Sequence, residues 1–322
     1  MLAVSCIAQS KSDPLSGLEV GERPAPVAPD GWVTVDLKAC ALNHHDLWSL
    51  RGVGLDASRL PMVLGCDGAG TLADGTEVVV HAVIGDPAAG DGDETLDPKR
   101  TLLSELHDGT LAEQVVVPAR NVVAKPESLS WTDAACLPTA WLTAYRMLTT
   151  RSGLDGPGTV LVQGAGGGVA TAAIVLAKAL GHTVFCTSRD EAKRRRALEI
   201  GADLAVESGE RLPAKVDVVI ETVGDATWSH SLRSLKPGGR IVVSGATSGP
   251  NPPADLNRVF FLQLSVIGST MGTRSELEGL LSLVESTGVR PLVEDVRPLS
   301  DARSAFEQLA EGDVFGKLVL TV

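Results

Sequence analysis

A short run of polar and ionisable residues lies early in the chain. Asn43, His44, His45 and Asp46 are consecutive, and Trp48 comes two residues later. An imidazole exchanges a proton near neutral pH, and a side-chain amide can donate a hydrogen bond to an oxygen on which negative charge develops. We therefore expect Asn43 to be an amide donor and the next three residues to be candidate proton relays.

The adjacent side chains of His44 and His45 point to opposite sides if the segment is extended, so only one of them would face a substrate. The sequence does not decide which. Trp48 can form an aromatic wall for a flat substrate or pack into the core. His81, inside a β run, is expected to be structural. Surface or capping positions are expected for the histidines that have no partner pattern, His107, His182 and His230.

The cysteines are isolated from one another, and none is part of a C-x-x-C pair. Cys66 precedes Asp67, a further candidate catalytic carboxylate, and Cys136 follows much later. A buried free cysteine usually serves as a small apolar packing group. The alternative is that Cys66 and Cys136 approach each other and form a metal or redox thiol pair, which the sequence cannot show.

A glycine-rich turn between a predicted strand and a predicted helix is the strongest binding signal. Residues 159–162 are apolar and rich in β-branched types, as in a buried parallel strand, and apolar residues recur at helical spacing from 169 to 180. Residues 182–187 predict a second strand. In such a βαβ unit the glycines let the backbone approach a diphosphate, which the helix N-terminus attracts. The turn contains Gly164, Gly166, Gly167, Gly168 and Val169.

The end of the second predicted strand indicates which dinucleotide binds. NAD sites usually place a carboxylate there for the ribose 2′-hydroxyl, whereas this chain has Ser188 and Arg189, and its first acid, Asp190, is expected to be a helix N-cap. A guanidinium with a nearby hydroxyl suits a phosphate dianion. Lys193 begins a basic run that is either a solvated helix face or a further phosphate contact. The sequence favours NADP(H).

Length and composition restrict the class of protein. At 322 residues the chain should form two domains, and it is 44% hydrophobic with a mean hydropathy of +0.15, which excludes a disordered chain. The net charge of −12 argues against nucleic acid and anionic membranes as partners. Without an apolar run that could span a bilayer or act as a signal peptide, a cytoplasmic location is expected.

The elements follow from the pattern of apolar, proline and glycine residues. Residues 1–119 predict short strands, for example at 32–39, 76–83 and 112–117. A helix is predicted at 133–148, and the acidic, turn-rich stretch 87–97 is expected to be a surface loop. Later strands are predicted at 216–220, 240–244 and 264–269, and later helices before residue 235 and at 276–285. Residues 292–322 return to a strand, a helix and a strand.

Five pieces of the chain resemble the medium-chain dehydrogenase/reductase superfamily, in particular its zinc-free quinone oxidoreductase-like branch. They are Ala41–Trp48, Leu64–Gly70, Thr143–Tyr145, the glycine turn with its one-residue-longer spacing, and Phe315–Lys317. The resemblance implies an α/β protein with a Rossmann doubly wound parallel sheet at 123–287. Residues 1–122 and 288–322 would form a β-rich GroES-like catalytic domain. Cofactor contacts are expected from the turn and from Thr143, Val223, Gly245, Ser269, Gly316 and Lys317.

The resemblance also implies that catalytic zinc is absent. Matching to the zinc alcohol dehydrogenases of the superfamily puts Asn43 and Cys66 at the first two ligand positions, Asp67 at the neighbouring Glu, and Cys136 at the third ligand position. A neutral amide is a poor zinc ligand. The second zinc of many members uses four cysteines, and residues 81–108 contain none.

Without a Lewis acid, hydride must go to an acceptor that is already electrophilic, such as a quinone or an α,β-unsaturated carbonyl. Many zinc-free relatives carry a tyrosine at the position of Trp48, and the only tyrosine here is Tyr145. The sequence thus predicts an NADPH-dependent reductase of such a small-molecule electrophile. Two alternatives remain: a zinc-dependent alcohol dehydrogenase with altered ligands (Cys66, Asp67, Cys136), or an NADPH-binding sensor or structural protein with little turnover.

The predicted strand at 264–269 has more β-branched apolar residues than a solvated edge strand should show. Relatives with this layout commonly pair through the matching strand. We therefore expect a homodimer through 264–269, unless a loop or the predicted helix 276–285 covers that edge.

Overall fold

The computed structural model describes residues 1–322, which form two compact units. Unit 1 comprises Met1–Leu142 and Met271–Val322, and unit 2 is the contiguous segment Thr143–Thr270. The predicted α/β fold class is confirmed: unit 1 is β-rich, and unit 2 contains a six-stranded parallel sheet with helices between its strands. No helix combines the length and the apolar character that crossing a membrane requires.

Unit 1 is built mainly from short antiparallel strands. Its strands are β1 (Leu2–Cys6), β2 (Leu18–Glu22), β3 (Trp32–Ala41), β4 (Met62–Val63), β5 (Asp67–Thr71), β6 (Glu77–Val80), β7 (Val83–Ile84), β8 (Thr101–Leu102), β9 (Gln114–Pro118), β10 (Val122–Ala124), β17 (Val293–Pro298) and β18 (Lys317–Thr321). Its helices are α1 (His44–Leu50), α2 (Trp131–Ala135), α8 (Arg274–Thr287) and α9 (Ala302–Glu311).

The largest sheet of unit 1 has the order β10-β6-β5-β3-β18-β17, with β9 also paired to β3. The long strand β3 is antiparallel to β5 and to β18, so that Ala41 lies opposite both Asp67 and Val319. This register brings the ends of three sequence-distant strands together. One apolar cluster packs α1 and α9 against these strands, with Leu47 and Phe306 almost fully buried.

Unit 2 alternates strands and helices. Its strands are β11 (Thr159–Val162), β12 (Thr183–Thr187), β13 (Leu204–Val206), β14 (Val216–Glu221), β15 (Leu235–Val243) and β16 (Ser265–Gly268). The helices are α4 (Gly168–Ala179), α5 (Glu191–Glu199), α6 (Asp225–Ser234) and α7 (Leu256–Phe261), and α3 (Leu142–Arg146) lies at the junction of the units. The strand order is β13-β12-β11-β14-β15-β16, and every pair is parallel. The order reverses at β11, where a doubly wound sheet binds its ligand.

Two expectations of local structure differ from the structure. The helix predicted at 133–148 is divided into α2, a π-helical segment at Leu137–Trp141, α3 and a second π-helical segment at Met147–Arg151. Pro138 is the second residue of the first π-helical segment, and a proline cannot donate the backbone hydrogen bond that a continuous α-helix needs there.

The stretch 87–97 is not simply a surface loop, because Glu94 is buried and accepts the backbone N–H of Arg274 at 2.7 Å. The compact units also divide at other positions than the predicted 122/123 and 287/288. The reason is that α2 packs on β3 and β5, and α8 packs on β10, all within unit 1. The predicted boundaries of folding domains remain predictions.

Candidate active site and dinucleotide site

The polar run of unit 1 begins a helix and is not extended. Asn43 has an extended conformation (φ −131°, ψ 157°), and its backbone N–H donates to Asp46 Oδ2 at 2.8 Å, which closes the first turn of α1. His44 is exposed on this helix, whereas His45 is half-buried. The extended alternation considered for the two histidines is therefore wrong, and the helix turns His45 towards other functional groups.

A buried ammonium group joins Asn43 and Asp67. Lys317 Nζ, at the start of β18, donates to the backbone oxygen of Leu42 (2.7 Å), to Asn43 Oδ1 (2.7 Å) and to Asp67 Oδ2 (2.8 Å). Asn43 Nδ2 also donates to Asp67 Oδ2, at 2.9 Å. The exposed fractions are 2% for Lys317, 9% for Asn43 and 0% for Asp67. All three donors of the ammonium are satisfied, as a buried charge requires. We call Asn43, Asp67 and Lys317 the ammonium cluster.

His45 lies between a carboxylate and a thiol. Its Nε2 is 3.1 Å from Glu105 Oε1, and its Nδ1 is 3.5 Å from both Cys66 Sγ and Ser104 Oγ. Burial opposes a charge on the ring, but Cys66, Glu105 and Asp46 together raise the pKa of His45 well above its ordinary value. Both ring nitrogens of His45 thus have polar partners, and the raised pKa favours the protonated ring.

The sequence did not single out Glu105 or Ser104. They are about 60 residues from His45 and belong to no recognisable motif, so only the folded loop between β8 and β9 brings them to it. Trp48, in contrast, was expected near a substrate. It is half-buried, and the Arg51 guanidinium lies over its ring at 5.3 Å from the centroid. One face of this aromatic ring therefore already has a cationic partner.

The two cysteines matched to zinc-ligand positions are both buried. Cys66 Sγ donates to the backbone oxygen of Leu103 at 3.2 Å, and burial raises the pKa of this thiol against the lowering influence of His45. Burial also raises the pKa of Cys136. No three His, Cys, Asp or Glu side chains are arranged so that they could hold a metal ion.

The chemistry of these residues does not fit a zinc ion. Both polar atoms of the Asn43 amide are engaged, and Asp67 is already neutralised by Lys317 at 2.8 Å. A divalent cation beside Asp67 would be repelled by the ammonium at that distance. Thiols with a raised pKa are also poorly prepared to act as thiolate ligands.

The glycine turn of unit 2 fits a dinucleotide. Gly164 (φ 72°) and Gly166 (φ 145°) have backbone conformations that strongly favour glycine. A Cβ on Gly164 would lie 2.7 Å from Val223 Cγ2, and one on Gly166 would lie 3.0 Å from Lys193 Cδ. Gly167 precedes α4, and no side chain caps the helix, so its first N–H groups are available to a diphosphate.

The end of β12 has the predicted cationic character. Ser188 is buried, Arg189 is exposed, and Asp190 caps α5 by accepting the N–H groups of Ala192 and Lys193. The predicted N-cap is therefore confirmed, and this carboxylate is occupied. Arg194 Nη1, a contact that sequence reasoning missed, donates to the Ser188 carbonyl at 2.7 Å.

The remaining predicted cofactor residues are divided between the units. Unit 2 holds Thr143, Gly168, Val169, Val223, Gly245 and Ser269. Gly316 and Lys317 are in unit 1. A Cβ on Gly316 (φ 118°) would lie 2.3 Å from the backbone oxygen of Leu292, so this glycine has a structural requirement of its own. The cofactor roles assigned to these residues remain predictions.

Comparisons with known proteins agree with this architecture. Residues 29–127 match the alcohol dehydrogenase GroES-like domain, and residues 168–286 match the zinc-binding dehydrogenase domain. An acryloyl-coenzyme A reductase of Metallosphaera sedula is 31% identical over 323 residues, which covers 95% of this chain and 96% of the relative. An alcohol dehydrogenase of Geobacillus stearothermophilus is 29% identical over 332 residues, covering 95% and 96%. The crystal structure of an NAD-dependent alcohol dehydrogenase superposes with a TM-score of 0.92 at 36% identity and covers all of both chains.

Proposed function

The chain belongs to the medium-chain dehydrogenase/reductase superfamily, and from that membership we propose that it is an NADPH-dependent oxidoreductase that reduces a quinone or an α,β-unsaturated carbonyl without zinc. The relatives that it resembles are dehydrogenases and reductases, and one of the similar solved structures is an NAD-dependent alcohol dehydrogenase. The preference for NADPH, the class of acceptor and the independence from zinc are the parts that we propose.

The ammonium cluster is the observation that carries the proposal. Asn43 is at the first zinc-ligand position of the family match and Asp67 at the neighbouring Glu position. Lys317 neutralises Asp67 and donates to the Asn43 amide, so both side chains already have partners. Without a Lewis acid, the substrate must itself stabilise the negative charge that develops during reduction. Conjugated carbonyls and quinones do so, because their charge is delocalised onto an oxygen that a hydrogen-bond donor can approach.

His45 is the proposed source of the proton. Its two ring nitrogens are positioned by Glu105 Oε1 and by Cys66 Sγ and Ser104 Oγ, so that the ring is oriented before a substrate binds. Glu105 contacts His45 and acts through it, as a positioning residue. A bound nicotinamide cofactor would supply the hydride, and the chain would supply the proton from His45 to the reduced acceptor.

NADPH is proposed over NADH because of the residues at the end of β12. The first acid after this strand, Asp190, caps α5, while Arg189 is exposed and Lys193 lies against Gly166. The similarity to an NAD-dependent alcohol dehydrogenase argues instead for NADH. The affinities of the protein for NADPH and NADH must therefore be measured side by side.

A zinc-dependent alcohol dehydrogenase with the altered ligands Cys66, Asp67 and Cys136 is the second candidate function. The similarity to alcohol dehydrogenases and to the zinc-binding dehydrogenase domain favours it. It would require Lys317 to leave Asp67 so that the carboxylate could bind metal.

One experiment separates the two candidates. Metal content is measured on the purified protein, and NADPH oxidation is then followed with quinones, enones and aldehydes, with and without a chelator. We expect reduction of a quinone or enone that is insensitive to the chelator, and a His45→Gln variant that loses kcat with little change in KM. Turnover that appears only with alcohols or aldehydes, and only with bound zinc, would refute the proposal.

A further inference from the structure

A connected set of buried polar side chains lies directly beneath the glycine turn of unit 2. They lie at the ends of β11, β12 and β14 and on α6, and the exposed fraction of each is 5% or less: Gln163, Thr187, Glu221, His230 and Ser231. We call this set the turn network. The surface or capping position expected for His230 is therefore wrong, since this residue is buried and its ring lies within hydrogen-bond distance of Gln163.

The carboxylate of Glu221 fixes the direction of the hydrogen bonds. Its Oε1 accepts the backbone N–H groups of Val223 (2.8 Å) and Gly224 (3.1 Å), which can only donate. Its Oε2 accepts the Ser231 hydroxyl at 2.6 Å. Since the only proton of Ser231 is used in that bond, its oxygen must accept from Gln163 Nε2, which lies 2.9 Å away.

That direction determines the state of His230. Gln163 Nε2 uses one proton on Ser231 and points the other at His230 Nδ1, 2.9 Å away, while Gln163 Oε1 accepts the Thr187 hydroxyl at 2.6 Å. His230 Nδ1 must therefore accept, and the ring is neutral with its proton on Nε2. That nitrogen is 2.8 Å from the carbonyl oxygen of Glu210, to which it donates.

The network is bonded to the turn on two sides. Thr187 Oγ1 accepts the backbone N–H of Gly164 at 3.3 Å, and the Thr187 carbonyl accepts the N–H of Ala165 at 2.7 Å. On the other side, Glu221 holds the backbone of Val223, whose side chain would touch a Cβ on Gly164. A change in the side-chain position of Gln163 would therefore alter the hydrogen bonds that hold Gly164 and Ala165 in place.

We propose that the turn network holds the glycine turn in its dinucleotide-binding shape only while His230 is neutral, so that protonation of His230 weakens cofactor binding. This inference rests on the proposed binding of NADPH. A protonated ring carries a proton on Nδ1 that faces the Gln163 amino group, and two donors cannot share that bond. Gln163 must then turn away, and Thr187 loses its acceptor.

The surroundings of His230 set where this change occurs. Burial lowers the pKa of His230, Arg233 and Lys215 act in the same direction, and the Glu210 carbonyl and Glu221 oppose them. The network therefore remains intact at neutral pH and is lost on acidification.

The first test is a measurement on the unmodified protein. Nitrogen NMR of labelled histidine reports which ring nitrogen carries the proton. We expect His230 to have a proton on Nε2 and a bare Nδ1 at neutral pH, and to titrate below the ordinary value of 6.5. A proton on Nδ1 at neutral pH would overturn the inference.

The second test is the dissociation constant of NADPH and of NADH as a function of pH. Below the pKa of His230, we expect both constants to rise by up to about tenfold per pH unit, since the weak-binding form takes up one proton. NADH is the matched probe because it lacks the 2′-phosphate, which itself titrates near pH 6, about the value of other phosphate monoesters.

Two variants assign the pH dependence to the network. His230→Asn keeps an acceptor for Gln163 and does not titrate, so it should bind with normal affinity at neutral pH and lose the acidic weakening. Gln163→Glu removes the donor to Nδ1 and favours the protonated ring, so the NMR titration of His230 should move to higher pH. Binding that is independent of pH in the unmodified protein, or an unchanged pH dependence in His230→Asn, would refute the inference. Absence of binding by either dinucleotide at every pH would instead refute the proposed function and the inference together.

Discussion

Lys317 illustrates how much a single buried charge contributes. Its ammonium has acceptors on three sides, and Asp67 has no other cationic partner within salt-bridge distance. The pair is stabilising only as a pair, because removing one partner leaves the other charge buried and uncompensated.

Lys317→Met should therefore destabilise the protein by about 3–5 kcal/mol. Denaturant unfolding, followed by a probe in unit 1, measures this loss. Lys236→Met is the matched control, since Lys236 pairs with Asp217 at 2.8 Å but both side chains are partly exposed, and such pairs contribute about 0–1 kcal/mol. Equal losses in the two variants would contradict the stabilising role of the ammonium cluster.

Arg189 is the residue that should discriminate between the two cofactors. Arg189→Ala is expected to weaken NADPH binding by about 1.5–3 kcal/mol and to leave NADH binding nearly unchanged, because a charge-assisted bond to the 2′-phosphate is lost. Titration calorimetry with both cofactors measures this. Arg195→Ala is the control, because it removes the same charge from an exposed position on α5. Arg195 lies 3.9 Å from Glu191, so we expect no contact with the 2′-phosphate. Equal affinities of the unmodified protein for NADPH and NADH would refute the proposed role of Arg189 in selecting NADPH.

At this scale the sequence identifies residue types but not their partners. Asn43, His45, Asp67 and Lys317 were all singled out, yet their contacts depend on the register of β18 on β3 and of β3 on β5, which no local pattern reveals. Glu105 was missed for the same reason. The turn network was missed because an isolated glutamine or serine in a strand or helix has no distinctive spacing.

Among the elements, the close pairing of strands β3 and β5 depends on one glycine. The pairing shifts between Leu37 and Ala39, so that a bulge lies next to Gly70. A Cβ on Gly70 would lie 2.2 Å from the backbone oxygen of Asp36. Only a shift of the backbone of β3 or β5 could relieve this contact. Glycine at such a point permits close approach of two strands.

Gly70→Ala should consequently destabilise unit 1, by about 1–3 kcal/mol as in other overpacked sites. Gly21→Ala in β2 is the matched strand control, because its Cβ would meet only the side chain of Glu19 at an ordinary 3.8 Å. Thermal unfolding of both variants provides the comparison. A Gly70→Ala protein as stable as Gly21→Ala would show that the bulge adjusts freely.

The elements of unit 2 were the most predictable from sequence. Its strand, turn and helix are contiguous, and their apolar periods of two and 3.6 residues are local properties. The division of 133–148 into α and π segments was not predictable in this way, since both helix types bury residues at similar spacing. The burial of Glu94 also depends on Arg274, 180 residues away.

For the whole molecule, the apolar edge of unit 2 supports the proposed dimer. β16 is the last strand of its sheet, and the exposed fractions are 48% for Val266, 68% for Phe260 and 79% for Phe261. We call these three exposed residues the edge patch; exposed apolar residues on an edge strand and on the helix before it favour pairing with a second copy about a two-fold axis.

Light scattering at micromolar concentration should report a dimer, and Ile267→Lys should shift it towards the monomer by burying an unpaired charge. Val27→Lys is the control, because Val27 is an exposed apolar residue of unit 1 that lies outside the edge patch. A monomer mass for the unmodified protein across this concentration range would count decisively against the dimer.

Metal content is the second whole-molecule prediction. Because Asn43 and Asp67 are occupied by Lys317, purified protein should contain no stoichiometric zinc, and a chelator should change neither its activity nor its unfolding temperature. Mass spectrometry under native conditions measures the first quantity. One zinc per chain that is lost in Cys66→Ser or Cys136→Ser would contradict this prediction and favour the zinc-dependent alcohol dehydrogenase.

The discontinuity of unit 1 has a consequence for the order of events during synthesis. Asn43 and Asp67 leave the ribosome long before Lys317, and the whole of the contiguous unit 2 emerges between them. A nascent chain therefore carries the Asp67 carboxylate without its counter-charge until the last strand arrives, while unit 2 is free to fold as a unit in the meantime. Translation itself thus delays the completion of the ammonium cluster until the Rossmann unit has had time to form.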